Sequence, residues 1–224
     1  MNYTFQFGVI FDRMPELLQG AALTLELALL GFWIGLVPAL ALAAMRSSGS
    51  KLARRLAGGY VTFLTNTPVL IHVYFMYYGL PEIGIYLDKH LAVIIGLITA
   101  TSAYGCEIMR AGFLSVRQTE IEAAETLGFS RLQQVWHVIV PHIVRTVYPA
   151  LANYFIILTL STSMAMIFGV SELLGTAYNI ASDNYRHIEA FTVVAGMYIV
   201  ITFAATLSLA LIGQWAFRVK AKIF

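Results

Sequence analysis

The segment Ala22–Arg46 reads ALTLELALLGFWIGLVPALALAAMR, and Glu26 is its only charge before the final arginine. About 20 apolar residues, each rising 1.5 Å along a helix, cross the hydrocarbon core of a bilayer, which is about 30 Å thick. The whole chain is similarly apolar, since 59% of its 224 residues are hydrophobic, 12% are charged, and the mean hydropathy is +0.76. Soluble domains carry about twice as much charge. The sequence therefore predicts a membrane protein.

Four further runs of similar length contain few or no fixed charges. These runs are continuous and do not alternate in polarity, so they favour helices rather than the strands of a barrel. We therefore predict an all-α membrane fold with one domain over residues 1–224. Its five transmembrane helices are predicted at about 21–45, 58–80, 91–113, 139–170 and 190–217.

The distribution of basic residues predicts how the chain crosses the membrane. With the N-terminus outside, 11 of the 14 Lys and Arg residues fall on the cytoplasmic side. Arg13, Lys89 and Arg186 remain outside. Cytoplasmic loops of membrane proteins are enriched in Lys and Arg. The bias predicts an external N-terminus, a cytoplasmic C-terminus, and a cytoplasmic loop at about 118–138 between the third and fourth helices.

Composition and motifs disfavour several functional classes. The net charge of +2 is too small to suggest a nucleic-acid partner. The sequence contains no GxxxxGK[ST] phosphate loop, so ATP hydrolysis is expected on another chain. His137 and His142 are five residues apart, which places them on different helix faces, and the other histidines have no companion at ligand spacing. We predict no metal site.

The predicted cytoplasmic loop contains the polar stretch EAAETLGFSRLQQVWHVIVP, residues 122–141. Acidic residues favour a short helix over 120–127, because they are stabilising near a helix N-terminus. Gly128 then permits a left-handed or otherwise tight turn. Apolar residues at helical spacing predict a second helix over 129–140, which would meet the next span at Pro141.

The turn is predicted to present an apolar knob, Leu127 and Phe129, to the cytosol. An amphipathic loop that only covers the ends of neighbouring spans is the alternative. The spacing within the loop resembles the EAA motif of binding-protein-dependent ABC importer permeases, although that family usually has Ile and Leu where this chain has two valines. The residues that match are Glu122, Ala123, Ala124, Gly128, Val138, Val140 and Pro141.

The resemblance extends over nearly the whole chain. The segment that begins at Ala22 is similar to the family's first span, and TNTPVLIHVYFMYYGLP, from Thr65, is similar to its second. AYGCEIMRAGFLSV, from Ala103, and STSMAMIFGVSELL, from Ser161, resemble the branch that imports amino acids, especially polar ones. This likeness implies the transmembrane subunit of an ABC importer that moves an amino acid across the bacterial cytoplasmic membrane.

The same resemblance implies partners for this chain. A cytoplasmic ATPase dimer would bind ATP and Mg, and this chain would hold no cofactor. A periplasmic or lipid-tethered binding protein would deliver the substrate. A second permease would complete the pore, with a homologous heterodimer favoured over a homodimer. Contact with the ATPase would fall to the loop, through Glu122, Ala123, Ala124, Leu127, Gly128, Phe129 and Pro141.

Polar residues in two spans are candidates for a substrate pathway. They are semi-polar side chains that could face a pore, but their hydroxyls could equally bond back to helix carbonyls. Several relatives have Lys-Asp where this chain has Leu160 and Ser161, so the charged contacts with substrate are expected from the partner permease. The candidates are Asn66, Thr67, Asn153, Tyr154, Leu158, Ser161, Thr162 and Met166.

Glu26, Glu107 and Arg110 are the charged residues within the first and third predicted spans. Glu107 and Arg110 are three apart on one helix face, so they can neutralise each other, and we expect a structural or gating role. Glu26 lies about one turn inside the outer end of the first span, where it could extend to the interface or contact substrate.

Two other classes compete with the transporter hypothesis. Gly169-Val170-Ser171 superficially resembles a GxS nucleophile site with His187 downstream, which would suit an intramembrane serine protease. A purely structural membrane subunit is the other class, but it would not need the polar cytoplasmic loop.

Overall fold

Residues 3–217 are described here from a computed structural model. Both chain ends, including the basic residues Arg218, Lys220 and Lys222, lie outside them. The described residues contain no β-strand, which confirms the all-α fold class. Their α-helices are α1 Gly8–Phe11, α2 Met14–Ser47, α3 Lys51–Thr65, α4 Val69–Tyr74, α5 Lys89–Ser115, α6 Gln118–Thr126, α7 Arg131–Gln134, α8 Val140–Ser161, α9 Leu173–Asn184 and α10 His187–Phe217.

Four helical stretches in the described part of the chain are long and apolar enough to cross a membrane. They overlap the first, third, fourth and fifth predicted spans. The third of these stretches joins α7, a π-helical turn, α8 and the 3₁₀ helix Thr162–Phe168. The five-span topology remains a prediction. The stretches are Met14–Ser47, Lys89–Ser115, Arg131–Phe168 and His187–Phe217.

Two helices, α3 and α4, occupy the second predicted span, 58–80, and the chain between them is not helical. α3 ends at Thr65, and Pro68 is extended, with ψ of 140°, before α4 begins. A residue before proline avoids the helical conformation, and proline has no N–H for the helix ladder. The side chains of Thr65, Asn66 and Thr67 donate hydrogen bonds of 2.7–2.8 Å to carbonyls one turn earlier. These bonds satisfy carbonyls at the end of α3.

Two π-helical turns, Phe75–Gly79 and Val135–Ile139, each end two residues before a proline. Proline inside a helix removes an N–H and clashes with the carbonyl four residues earlier. A locally wider turn gives that carbonyl room without ending the helix. Pro141 is the second residue of α8, directly after the π-helical turn, and the second helix of the loop and α8 form one continuous helical stretch.

The main core lies where α2 packs on α5. A Cβ atom at Gly31 would lie 2.7 Å from the Cβ of Leu97, and one at Gly35 would lie 2.5 Å from the Cβ of Thr101. Both distances are too short for a real side chain, so the two backbones approach closely only because these residues are glycine. Helix association in lipid depends on this kind of close packing. Phe32, also on α2, extends the same core towards α8.

The short helix α9 is not predicted by the sequence, because its 12 residues, LLGTAYNIASDN, are too few and too polar to resemble a span. It packs against both α2 and α10. Its buried residues Leu173, Ala177 and Ile180 share a cluster with Leu17 of α2 and Val194 of α10. This helix therefore binds the ends of the first and last long helices together.

Replacing Gly35 with isoleucine is expected to lower the free energy of unfolding by about 1–3 kcal/mol, the usual cost of overpacking, because the new side chain must displace Thr101 or separate α2 from α5. Gly196 in α10 has open space where a Cβ would be added, so Gly196→Ile is the matched control and should have little effect. Denaturation of the purified protein in detergent measures both. Equal stability of Gly35→Ile and the wild type would contradict the packing account.

Candidate functional site

The loop between α5 and α8 begins with the helix α6 and a left-handed turn. Gly128 has φ of +78°, a conformation that glycine adopts without steric cost. Its N–H donates to the carbonyl of Glu125 at 2.9 Å, and the Phe129 N–H donates to that of Ala124 at 3.0 Å. This pair of bonds is a Schellman motif. The short helix and left-handed turn predicted from the sequence are therefore present.

The second helix of the loop begins at Arg131, two residues later than the sequence analysis placed it. The Ser130 hydroxyl accepts a hydrogen bond from the Gln133 N–H at 3.4 Å, and the Gln133 side chain accepts one from the Ser130 N–H at 2.8 Å. This reciprocal arrangement is a capping box. The sequence signal that marks it, Ser-x-x-Gln, is present but was overlooked.

Apolar side chains on this loop are exposed. Leu127, Leu132 and Trp136 are 75%, 68% and 62% exposed. We call these three residues the loop patch. Phe129 is only partly exposed, and its ring lies 6.1 Å from that of His137. The predicted knob thus consists of Leu127 together with residues of the second helix, and Phe129 contributes less than expected.

The other predicted coupling residues differ in exposure. Glu122 and Ala123 are exposed on α6, whereas Ala124 is buried against the rest of the loop. The buried amide of Gln134 donates to the Phe129 carbonyl at 3.0 Å, so the turn is fixed to α7. Pro141 is half-buried in the helical stretch that continues into the membrane. The loop is thereby a fixed structure rather than a loose connection.

Glu107 has two basic partners, of which the sequence identified one. Arg110 Nε lies 3.2 Å from Glu107 Oε2 on the same helix, as the spacing suggested. Arg46, the last basic residue of α2, binds the other carboxylate oxygen. Neither partner is fully buried. Glu107 therefore ties the C-terminal ends of α2 and α5 together, and Arg46 could not be found from helical spacing because it lies on another helix.

The candidate pathway residues in the fourth span lie on two different faces. Tyr154, Leu158 and Thr162 are buried within the chain. Asn153 is exposed, and Ser161 and Met166 are partly exposed. The polar stripe that the sequence suggested is therefore split.

Several of these polar side chains form hydrogen bonds within the chain. The Tyr154 hydroxyl donates to Thr101 Oγ1 at 3.4 Å. The hydroxyls of Ser161 and Thr162 donate at 2.8 Å to carbonyls of their own helix. Asn66 and Thr67 bond to α3 in the same way. Asn153 is the exposed polar residue of this group with no such bond within residues 3–217.

Glu172 is a fully buried carboxylate that the sequence analysis missed. One of its oxygens accepts hydrogen bonds from Thr24 of α2 at 3.2 Å and from Tyr198 of α10 at 2.9 Å. The backbone N–H groups of Leu174 and Gly175 donate to the carboxylate at 3.0 and 2.8 Å, so Glu172 also caps α9. Burial raises the pKa of this carboxyl, and the four hydrogen bonds oppose that rise.

A second buried carboxylate, Glu189, anchors the N-terminal segment on α10. Tyr3 Oη donates to it at 2.5 Å, and the Gln6 N–H donates at 3.1 Å. Arg186 lies 3.5 Å from the same side chain and also donates to the Thr4 carbonyl at 3.0 Å. The end of the molecule where α10 begins is thus held by two buried carboxylates with several partners each.

The protease hypothesis has no geometric support within residues 3–217. Ser171 Oγ accepts a hydrogen bond from the Asn179 amide at 3.4 Å. The His187 ring lies beside Tyr178 and Phe191, at centroid distances of 6.4 and 6.0 Å. No hydrogen bond joins Ser171 to His187 in this part of the chain. The same residues contain no group of three or more His, Cys, Asp or Glu side chains able to hold a metal ion.

Comparison with known families decides the identity of this fold. Residues 31–218 match the family described as binding-protein-dependent transport system inner membrane component. The chain belongs to this family. It is a multi-pass inner-membrane permease subunit of an ABC importer, and it is not an enzyme, because the ATPase of these systems is a separate chain. A substrate-binding protein is the other partner that membership implies.

Individual relatives are similar over most of their length. The probable amino-acid ABC transporter permease protein PatM of Vibrio harveyi is 34% identical, over 87% of this chain and 88% of that protein. The nopaline transport system permease protein NocM of Agrobacterium fabrum is 33% identical, over 92% and 90%. The glutamine transport system permease protein GlnP of Escherichia coli is 32% identical, over 88% and 91%.

Solved structures share the fold. The crystal structure of an amino acid ABC transporter with histidines matches with a TM-score of 0.88 and 30% identity, over 95% of this chain and 99% of that chain. The MetNI methionine ABC transporter in an inward-facing conformation matches with a TM-score of 0.72 and 20% identity, over 91% and 97%. Because the second match is only 20% identical in sequence, it supports the shared fold alone.

Proposed function

We propose that this permease carries an amino acid, polar rather than apolar, across the cytoplasmic membrane. Relatives named for amino-acid, glutamine and nopaline transport support this substrate class. A polar substrate needs hydrogen-bond partners on its way through a low-dielectric region. We assign the pathway to the face of α8 that carries Asn153 and Ser161, together with the broken helix at Asn66 and Thr67.

The loop around α6, which we call the coupling loop (residues 118–138), is proposed to bind the ATPase. The observation that carries this proposal is the loop patch, in which Leu127, Leu132 and Trp136 are exposed on a loop fixed by a Schellman motif and a capping box. Exposed apolar side chains on a rigid polar loop are typical of a protein interface. ATP and Mg would bind to the ATPase, and closure of its dimer would move the loop.

We infer that the N-terminus lies outside and the coupling loop inside. Contacts between helix ends support this orientation, because they group the basic residues at two ends of the molecule. Arg46 and Arg110 meet at Glu107, at the end of α5 that leads into the loop. Lys89 begins α5 at its other end, where its ammonium donates to the Gly169 carbonyl at 2.6 Å. The more basic end is expected to face the cytoplasm.

A homologous second permease is proposed to supply charged contacts with the substrate. Arg145 is charged near the start of α8, but farther along the helix the exposed or partly exposed residues Asn153, Ile157, Leu160 and Ser161 are all uncharged. An amino acid brings both an ammonium and a carboxylate, and leaving either unpaired in a low-dielectric cavity is costly. A partner with an acidic or basic side chain at the same depth would meet this need.

Cysteine labelling is expected to confirm the orientation. In a Cys106→Ala background, Tyr86→Cys should react with an impermeant thiol reagent from outside, and Thr126→Cys should react only from the cytoplasmic side. Tyr86 is 79% exposed and Thr126 is exposed, so both sites suit the reagent. Reaction of both cysteines from one side would contradict the proposed topology.

Reconstitution tests the transport function and the heterodimer together. Liposomes are prepared with this chain, its ATPase and its binding protein, with and without the homologous permease, and uptake of labelled neutral, cationic and anionic amino acids is measured. We expect ATP-dependent uptake only with the second permease. Efficient uptake of a charged amino acid without it would refute the heterodimer, and the absence of amino-acid uptake from both assemblies would refute the substrate class.

A further inference from the structure

The break in the second predicted span leaves one backbone carbonyl without a helical donor. In a continuous helix, the Thr65 carbonyl would accept a hydrogen bond from the Val69 N–H. The extended backbone of Pro68, with ψ of 140°, removes that bond. The side chains of Thr65, Asn66 and Thr67 bond to carbonyls one turn earlier, so they do not satisfy this one. An unpaired carbonyl is costly within a membrane, so the Thr65 carbonyl needs a donor from another helix.

Tyr104 of α5 provides this donor. Its hydroxyl donates to the Thr65 carbonyl at 3.1 Å. Its ring stacks on the ring of Tyr154 in α8, with 5.6 Å between the centroids and 27° between the ring planes. Tyr104 is half-buried and packs against the main core. One side chain of α5 thus contacts both the end of α3 and α8.

The main core sets the position of the Tyr104 ring. The Tyr154 side chain is buried, and its hydroxyl donates to Thr101 Oγ1 at 3.4 Å. Thr101 lies where α5 approaches Gly35 of α2. The Tyr104 ring therefore rests on a buried tyrosine that is itself bonded at the contact between α2 and α5. A hydrogen-bonding group whose ring is fixed by packing holds its partner in one place.

Tyr104 also joins the two segments to which the substrate pathway is assigned. Thr65 directly precedes Asn66 in the chain, and Tyr154 directly follows Asn153. Both α3 and α8 pack on α5. The separation between Asn66 and Asn153 therefore depends on how α5 holds each segment, and Tyr104 contacts a neighbour of each.

We propose that Tyr104 is a positioning residue for the substrate pathway, because its hydroxyl fixes the broken helix beside α8. The proposal rests on the pathway assigned to α8 and the broken helix. Without the hydroxyl, the Thr65 carbonyl loses its donor, and the segment with Asn66 and Thr67 takes up several positions. A polar substrate then no longer meets hydrogen-bonding groups at fixed distances, so it is carried more slowly.

Tyr60 provides a matched control. Its hydroxyl forms a 2.9 Å hydrogen bond with Ser102 Oγ, so this bond also joins α3 to α5. Tyr60 lies within α3, before the break. Replacing either tyrosine with phenylalanine removes one phenolic hydrogen bond between the same two helices. The two variants therefore differ in whether the lost bond lies at the break.

Distances between spin labels test whether Tyr104 fixes the broken helix. The labels are attached to Phe63→Cys in α3 and Ala150→Cys in α8, two exposed positions, in a Cys106→Ala background. The sample is the purified complex with the ATPase and the second permease. We expect a narrow distance distribution without further substitution and with Tyr60→Phe, and a broader one with Tyr104→Phe. An unchanged distribution in Tyr104→Phe, or equal broadening by both variants, would overturn the proposal.

Uptake into liposomes tests whether this position matters for transport. The assembly contains the ATPase, the binding protein and the second permease, and the substrates are labelled glutamine, arginine and glutamate. Tyr104→Phe is expected to lower kcat for uptake about tenfold, because it leaves a carbonyl without its donor. Tyr60→Phe should retain most of the uptake. Equal uptake by Tyr104→Phe and the wild type would refute the positioning role.

A rescue experiment isolates the hydrogen bond from the shape of the ring. 4-Aminophenylalanine incorporated at position 104 keeps the ring and returns an N–H donor to the place of the hydroxyl. We expect it to restore both the narrow distance distribution and the uptake. An intact complex that stays as slow as Tyr104→Phe would contradict the proposed role of the bond.

Failure of this proposal and failure of the function on which it rests give different results. If the wild-type assembly takes up none of the three amino acids, the proposed substrate class is wrong. The distance distributions need no substrate, so they still test whether Tyr104 fixes the broken helix. If the wild type carries an amino acid and Tyr104→Phe carries it equally well, only the positioning role is wrong.

Discussion

The close approach of α2 to α5 is the constraint on which the other contacts depend. Lipid tails are as apolar as the helix surfaces, so burial of apolar area does not by itself hold transmembrane helices together. Gly31 and Gly35 instead allow the α2 backbone to reach Leu97 and Thr101. With that distance set, Arg46 at the end of α2 can reach Glu107 of α5. α5 ends at Ser115, and the coupling loop follows it directly in the chain, so the position of α5 also sets the position of the loop.

The two ends of the molecule are held by different kinds of interaction. At the end of the molecule where α10 begins, Glu172 and Glu189 are fully buried and hydrogen-bonded by several groups. Removing one partner from a buried charge is strongly destabilising. At the end that carries the coupling loop, the ion pairs of Glu107 and Glu120 are partly exposed, and such pairs contribute only modestly to stability. The end proposed to bind the ATPase is therefore the end that rearranges at lower cost.

The sequence alone predicts those parts of the fold that depend on local residue patterns. Long apolar runs gave the helices now seen as α2, α5, α8 and α10, and the Gly128 turn followed from its glycine. Features that depend on distant residues were missed, because one sequence carries no sign of which helices touch. Arg46 beside Glu107, and Tyr198 and Thr24 beside Glu172, are of this kind.

Two local errors have a different origin. The break at Pro68 was treated as a kink within one span, although Thr65, Asn66 and Thr67 offered side-chain hydrogen bonds that compete with the helix. The polar stripe of α8 was drawn by residue type alone, so Asn153 and Tyr154 were grouped although neighbouring residues point to different sides of a helix.

The central claim is that the fixed geometry of the coupling loop transmits ATPase motion, and Gly128 provides its most direct test. Valine at Gly128 must adopt a φ of +78°, and valine at Gly84, in a loop predicted to lie outside, must adopt +85°. A residue forced into this region costs about 1–3 kcal/mol locally. In reconstituted liposomes that retain the ATPase, the account predicts that Gly128→Val abolishes uptake while Gly84→Val retains it, and equal uptake by the two variants would contradict it.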